Sequence, residues 1–185
     1  MPSSDWSASE AAAHGPKIPF RGRVWRAHWR EVGPTDWKLS LGSSGRYHQG
    51  RDMFPVDQCW AALYTSLTPE AAVWEMVRRS AARNLDHLRN NVLTELDIDV
   101  TVVLDATEPG SIGLQIADLT GSDPSACRQL ALAAILEGCE GLLVPSAAMQ
   151  GTNLVLLPNN LPDPLPATVL STRSLPIELT SGTQS

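Results

Sequence analysis

The chain is poor in residues that would tie it together covalently or through metal. Its three cysteines, Cys59, Cys127 and Cys139, are an odd set without a C-x-x-C pair, which excludes a disulfide framework and fits reduced, buried thiols in a cytoplasmic protein. His14, His28, His48 and His87 show neither the i, i+4 pairing of a metal-binding helix nor a neighbouring cysteine pair, so no metal is expected. No run of about 18 apolar residues is present, so no membrane-spanning helix is expected. The opening MPSSDWSASEAAAHGPK lacks the basic start and apolar segment of a signal peptide. A broad basic surface is missing too. Residues 1–91 carry twelve Lys and Arg against nine Asp and Glu, and residues 92–185 carry two against eleven, for a net charge of -6. Such a chain is a poor direct binder of nucleic-acid backbone, although it can still hold a small anion.

What is present is ordinary for a globular protein. The 185 residues are 43% hydrophobic and 18% charged, enough for one domain burying roughly 70% of its unfolded surface without cross-links. Residues 1–17 read as a loose tail, residues 18–180 as the domain and 181–185 as a frayed end. Five of the six tryptophans, Trp25, Trp29, Trp37, Trp60 and Trp74, lie in the first half, and core packing is the plainest role for so many indoles.

The periodicities predict a mixed α+β chain. Arg23–Trp29 reads as a strand, and residues 33–57, rich in Gly, Pro, Ser and Asp, as mostly loop. Cys59–Ser66 reads as a short buried strand. Thr68 then caps a helix with Pro69 in its first position, whose apolar face runs through Val73, Trp74, Val77 and Ala81. A second short helix is expected over Leu85–Val92. Leu96, Ile98, Val100 and Val102 alternate with Asp97, Asp99 and Thr101, the period of a half-buried strand with an acidic outer face. Asp123 and Pro124 open another helix, which Gly138 stops. Strands follow at Gly141–Pro145 and Asn153–Leu157, with edge strands at Thr168–Leu170 and Ile177–Leu179.

Chemistry concentrates between Gly22 and Glu75. Arg21, Arg23, Arg26 and Arg30 lie within ten residues and form either a solvated strand face or an anion site. Gly42–Gly50 could offer backbone N–H groups to a phosphate with Arg46 beside them, or be only a turn. Glu75 falls about 150° from the centre of its helix's apolar face, which reads as a solvated carboxylate or as one facing a cleft. Ser146 stands just past a strand end, where turn formers and site residues both occur.

Taken together, these pieces resemble the RES-domain family, the toxin halves of Xre–RES toxin–antitoxin pairs. The resemblance rests on VWRAH, on Gly45-Arg46-Tyr47, on ALYTS followed eleven residues after Tyr64 by Glu75, and on GLLVPSA with its partner Asn153-Leu-Val-Leu. It covers about residues 22–160. It implies an α+β domain similar to ADP-ribosyltransferases, with small mixed sheets around a nucleotide cleft and flanking helices. It also implies NAD as substrate, cut at the nicotinamide–ribose bond by hydrolysis or phosphorolysis, with phosphate as a co-substrate in the latter case. Protein ADP-ribosylation and nucleotide binding without turnover are the alternatives. By the same resemblance Arg26 and Arg46 hold the dinucleotide, with Tyr47 beside them. Tyr64 contacts nicotinamide or its ribose, Glu75 is the catalytic carboxylate and Ser146 is the serine of the cleft. The implied partner is an Xre-type antitoxin chain, in a hetero-oligomer with it or alongside a homodimer. The chain departs from the family pattern at Tyr47 and His48, where Trp and Asn are usual, and in a longer loop from Gly50 to Cys59.

Overall fold

The computed structural model describes residues 6–79, 88 and 90–175. In chain order the elements are α1 (Ala8–His14), β1 (Lys17–Trp29), β2 (Leu63–Ser66), α2 (Pro69–Arg79), β3 (Asn91–Asp105), α3 (Ile116–Thr120), α4 (Ser125–Leu136), β4 (Gly141–Pro145), β5 (Thr152–Leu156) and β6 (Ala167–Ser174). The long strands β1 and β3 pair antiparallel from Lys17↔Leu104 to Trp29↔Asn91. The last residues of β3 pair in parallel with β4, β4 with β5, and β5 with β2. Strand β2 returns to β1 through Trp25↔Ser66. These pairings close a five-strand ring, and β6 lies against the first half of β3.

Strand alternation sorts the core into layers. In β5, Leu154 and Leu156 join Val24, Leu63, Leu96, Ile98 and Val103 on one side of the sheet. Val155, with Leu157 just beyond the strand, faces the other way, with Leu142 and Val144 of β4, onto Leu130, Ala131 and Ala134 of α4. A third cluster packs Ala72 and Val73 of α2 on Leu93 of β3. The period of two thus places successive residues of β4 and β5 in different clusters.

The same alternation divides the N-terminal arginines. Arg26 shares its side of β1 with the buried Val24 and His28, whereas Arg21 and Arg23 point outward and pair with Asp99 and Glu95 of β3 at 3.7 and 3.2 Å. Arg30 donates to Ser174 Oγ at 3.2 Å. The patch is therefore a strand face for three of its members and a cleft group for one.

Several expectations shift. Residues 8–14 are helical rather than loose: Ser7 Oγ accepts from Glu10 N–H at 3.3 Å, Ala11 and Ala12 are buried, and Trp6 Nε1 donates to Ile112 O at 2.9 Å. Methyl side chains let this helix sit close to the core, an attraction that composition alone understates. Among the five tryptophans of the first half only Trp60 is buried, and Trp29 is 45% exposed. Of the predicted helix over 85–92, residues 85–87 and 89 lie outside the described residues, and Asn91 and Val92 belong to β3. Ile177–Leu179 and the frayed end lie outside them as well. Thr68 caps α2 as expected, its Oγ1 accepting from Ala71 N–H at 3.2 Å. Asp123 sits one residue further out than predicted, with Pro124 as the N-cap of α4. All three cysteines are free, Cys127 and Cys139 fully buried and Cys59 half-buried. No described helix is long and apolar enough to cross a membrane.

Candidate functional site

The strand register positions the carboxylate. Asn153 of β5 lies opposite Ser66 on one side and Val144 on the other, so the end of β2, the start of β5 and the end of β4 meet at one point. Helix α2 begins three residues after Ser66. Glu75, six residues into it and about 9 Å along its axis, reaches back over this junction. Its Oε1 accepts three hydrogen bonds, from Ser146 Oγ at 2.7 Å, Asn153 Nδ2 at 2.8 Å and Ala147 N–H at 3.1 Å. Its other oxygen takes no hydrogen bond from the described residues. Asn153 Oδ1 accepts from the buried Ser66 Oγ at 2.7 Å. The carboxylate assigns that amide, since only the NH2 end can face an acceptor. Ser146 in turn accepts from Ala148 N–H at 3.2 Å. The side of α2 that looked solvated is therefore covered by the β4–β5 connection.

Arg26 approaches the same space from β1, its Nη1 donating to Tyr64 O at 3.4 Å. Behind it, burial lowers the pKa of His28, with backbone acceptors opposing. His28 Nδ1 faces Trp29 O at 2.9 Å and must donate there, so Nε2 accepts from Thr94 Oγ1 at 2.8 Å.

The loop 42–50 is held from inside. Ser44 N–H donates to Asp52 Oδ1, Gly45 N–H to His48 O, Tyr47 N–H to Tyr64 Oη and Gly50 N–H to Ser44 Oγ. These four N–H groups are committed to the loop's own fold, so a backbone cradle for phosphate is not built from them. His48 is buried, with Nε2 at 2.6 Å from Ser43 O and Nδ1 at 2.8 Å from Tyr64 Oη. The carbonyl can only accept, so Nε2 carries the proton, and a neutral ring then takes the phenolic hydrogen of Tyr64 on Nδ1. The Tyr64 ring borders the cleft while its hydroxyl is tied to His48 and Tyr47. Gly45 is required here, because a Cβ would lie 2.7 Å from Tyr64 Oη. The Tyr47 side chain belongs to the main core at 2% exposure, and burial raises its phenol well above the ordinary range. Tyr47 is among the residues that line the cleft, while its ring fills the space between the loop and α4, against Cys127.

Arg46 points away from the loop, donating from Nη2 to Gly121 O at 2.7 Å and from Nη1 to Leu119 O at 3.1 Å, at the end of α3. Arg128, in the first turn of α4, points the other way, its Nε donating to Gly45 O at 2.9 Å. These groups surround a cleft of about 780 Å³, in which Arg26, Arg46, Arg78 and Arg128 all take part and Glu75 is the one carboxylate among the described lining residues. The volume lies within the roughly 300–1,000 Å³ of small-molecule sites. Among the described residues, no group of three or more His, Cys, Asp or Glu is placed to hold a metal.

The structure thus brings Arg26, Arg46, Tyr64 and Glu75 to one cleft, with Ser146 touching Glu75, and turns the Tyr47 ring into the core. Three residues at this site carry no role in the sequence reading. Asn153 offered a signal, since asparagine is depleted in strands and here opens an apolar one. Arg128 stood out as one of two cations after residue 91. His48 offered no signal beyond its departure from the family pattern.

Fold and cleft define a single-domain α+β protein with one carboxylate set among arginines. The RES domain model matches residues 23–179, and the chain belongs to the RES-domain family. A chain in the crystal structure of the M.tuberculosis MbcT-MbcA toxin-antitoxin complex shares this fold, with a TM-score of 0.78 over 94% of each chain and 21% identity. Comparison with curated proteins gives no match.

Proposed function

We propose that this protein is the toxin of a toxin–antitoxin pair and consumes NAD by cleaving its nicotinamide–ribose bond. The observation that carries the reading is Glu75, anchored through one oxygen by three neutral donors within a cleft whose other charged lining groups are arginines. Guanidinium groups match phosphate oxygens in planar, paired geometry and keep their charge in a cleft. Cleavage of the C1'–N bond leaves its electron pair on nicotinamide, which departs neutral, and positive charge develops on the ribose. A carboxylate oxygen facing that ribose stabilises the charge as it forms. Ser146 and Asn153 act through Glu75 as positioning groups, and the Tyr64 ring offers an apolar face to the leaving base. Water or phosphate then supplies the oxygen that bonds to C1'.

The fold shared with a chain of a toxin–antitoxin complex supports a protein partner, and an Xre-type antitoxin in the cytoplasm is the reading adopted. Leu39, on the cleft wall, is 58% exposed, with Met53 and Val56 exposed further along the same loop segment; an antitoxin covering the cleft would bury such side chains. The test is a time course of NAD consumption with and without phosphate, for wild type and Glu75→Gln. Release of nicotinamide by the wild type, with ADP-ribose or its 1''-phosphate as the second product and loss of turnover in the variant, is the expected result. Undiminished consumption by Glu75→Gln would remove Glu75 from the mechanism.

A further inference from the structure

Arg46 ties the loop 42–50 to the end of α3, and Arg128 ties α4 to the same loop. Arg46, from the loop 42–50, donates both terminal nitrogens to backbone carbonyls after and within the last turn of α3, while Arg128, from the first turn of α4, donates Nε to a carbonyl of that loop. Both residues line the cleft, and neither forms an ion pair with a carboxylate among the described residues. Asp123, the acid whose field reaches Arg128, has Oδ1 engaged by Ser125 N–H at 2.9 Å and Ser125 Oγ at 2.6 Å. Carbonyl oxygens fix the direction of a guanidinium without cancelling its charge. The two anchors also differ in what they leave over. Arg46 has both Nη atoms engaged, whereas Nη1 and Nη2 of Arg128 make no hydrogen bond with the described residues, and its guanidinium lies 5.7 Å from the Phe54 ring centroid.

We infer that Arg46 and Arg128, both anchored by backbone carbonyls, form a binding subsite for a phosphoryl group, in which Arg128, through its two terminal nitrogens, makes the paired contact to the phosphate oxygens. Two cations lining one cleft, neither ion-paired with a carboxylate among the described residues, suit a group with two or more negative oxygens, and the planar Nη edge of Arg128 matches that geometry. The phosphoryl group comes either from the pyrophosphate of a dinucleotide or from free inorganic phosphate. This inference rests on the reading of the cleft as an NAD site, but binding tests it independently of turnover.

The experiment is calorimetric titration of the full chain, wild type and Arg128→Gln, with ADP-ribose, nicotinamide riboside and inorganic phosphate, alongside circular dichroism to confirm folding. For a pyrophosphate subsite, ADP-ribose affinity falls by about tenfold to a hundredfold, the range of a lost charge-assisted pair, and riboside affinity holds. For a free-phosphate subsite, phosphate affinity falls by the same factor and ADP-ribose affinity holds. Arg128→Lys restores part of the loss, since it keeps charge without the fork. If Arg128 only braced Gly45, the phosphate-free riboside would weaken alongside ADP-ribose, and the inference would be overturned. Equal binding of all three ligands by wild type and variant would overturn it too. Absence of NAD cleavage together with an Arg128-dependent loss of ADP-ribose binding would remove the proposed reaction and leave the subsite standing.

Discussion

The two charged parts of the cleft are anchored in mirror fashion. The carboxylate of Glu75 is held by a hydroxyl, an amide and a backbone N–H, and the guanidinium groups of Arg46 and Arg128 by backbone carbonyls. Neither part contains a salt bridge among these three residues, although the described residues form four elsewhere, of which Arg21–Asp99 and Arg23–Glu95 lie on the outer face of the sheet. Neutral dipoles fix the direction of a charged group and leave its net charge in place, whereas an ion pair would cancel it. A cleft whose charges of both signs are held by neutral dipoles is a binding device for a ligand carrying both signs. The outer arginines, neutralised by the acidic face of β3, have no such capacity.

This contrast can be broken most sharply at Glu75. Glu75→Gln removes the charge but keeps an oxygen for the three donors, so NAD turnover should fall by about a hundredfold or more, with an unfolding midpoint close to wild type in a denaturant titration. Next in size is Asn153→Ala. It leaves the buried Ser66 hydroxyl without its acceptor and Glu75 with one donor fewer, which should destabilise the fold by about 1–3 kcal/mol. A steady-state comparison should show kcat falling about tenfold while KM for NAD stays, because Asn153 acts on the direction of the carboxylate.

Smaller again is Tyr64→Phe. The ring stays in the cleft and the links to Tyr47 N–H and His48 Nδ1 are lost, for about 1 kcal/mol and a thermal midpoint lower by about 2–4 °C. A large loss of NAD affinity in that variant would contradict the commitment of the Tyr64 hydroxyl to Tyr47 and His48. The gentlest test concerns His28, where the fold excludes charge rather than preserving it. Burial holds its pKa below the ordinary 6.5, Arg26 also lowers it, and the carbonyls of Trp29 and Val32 oppose the shift. In the native state the ring stays neutral where the unfolded chain would take up a proton, so the contribution of His28 is complete above about pH 6.5 and is lost as pH falls towards its native pKa. Urea unfolding at pH 7.5 and 5.5 should show a larger decline for wild type than for His28→Asn.

Much of the architecture was legible. The alternation from Leu96 to Val102, the capped start of α2 at Thr68 and Pro69, and the strands at Gly141–Pro145 and from Asn153 are local patterns with local causes. Helix α1 was not legible, because Ala11 and Ala12 carry little hydrophobic signal and their burial depends on the fit of α1 to distant residues such as Ile112. The site divides in the same way. Arg26 could be found from an apolar strand, but only the pairing of β1 with β3 separates it from Arg21 and Arg23.

By itself the sequence determined which charges and rings the first half carries, where α2 begins and that Ser146 stands past a strand end, because propensity, capping and period act over a few residues. Tertiary structure alone decided that Glu75 faces a cleft rather than water, that Tyr47 turns inward and that Arg128 joins Arg46. Those outcomes depend on strand register and on hydrogen bonds between residues 71 to 83 positions apart, and no local pattern encodes contacts over that range.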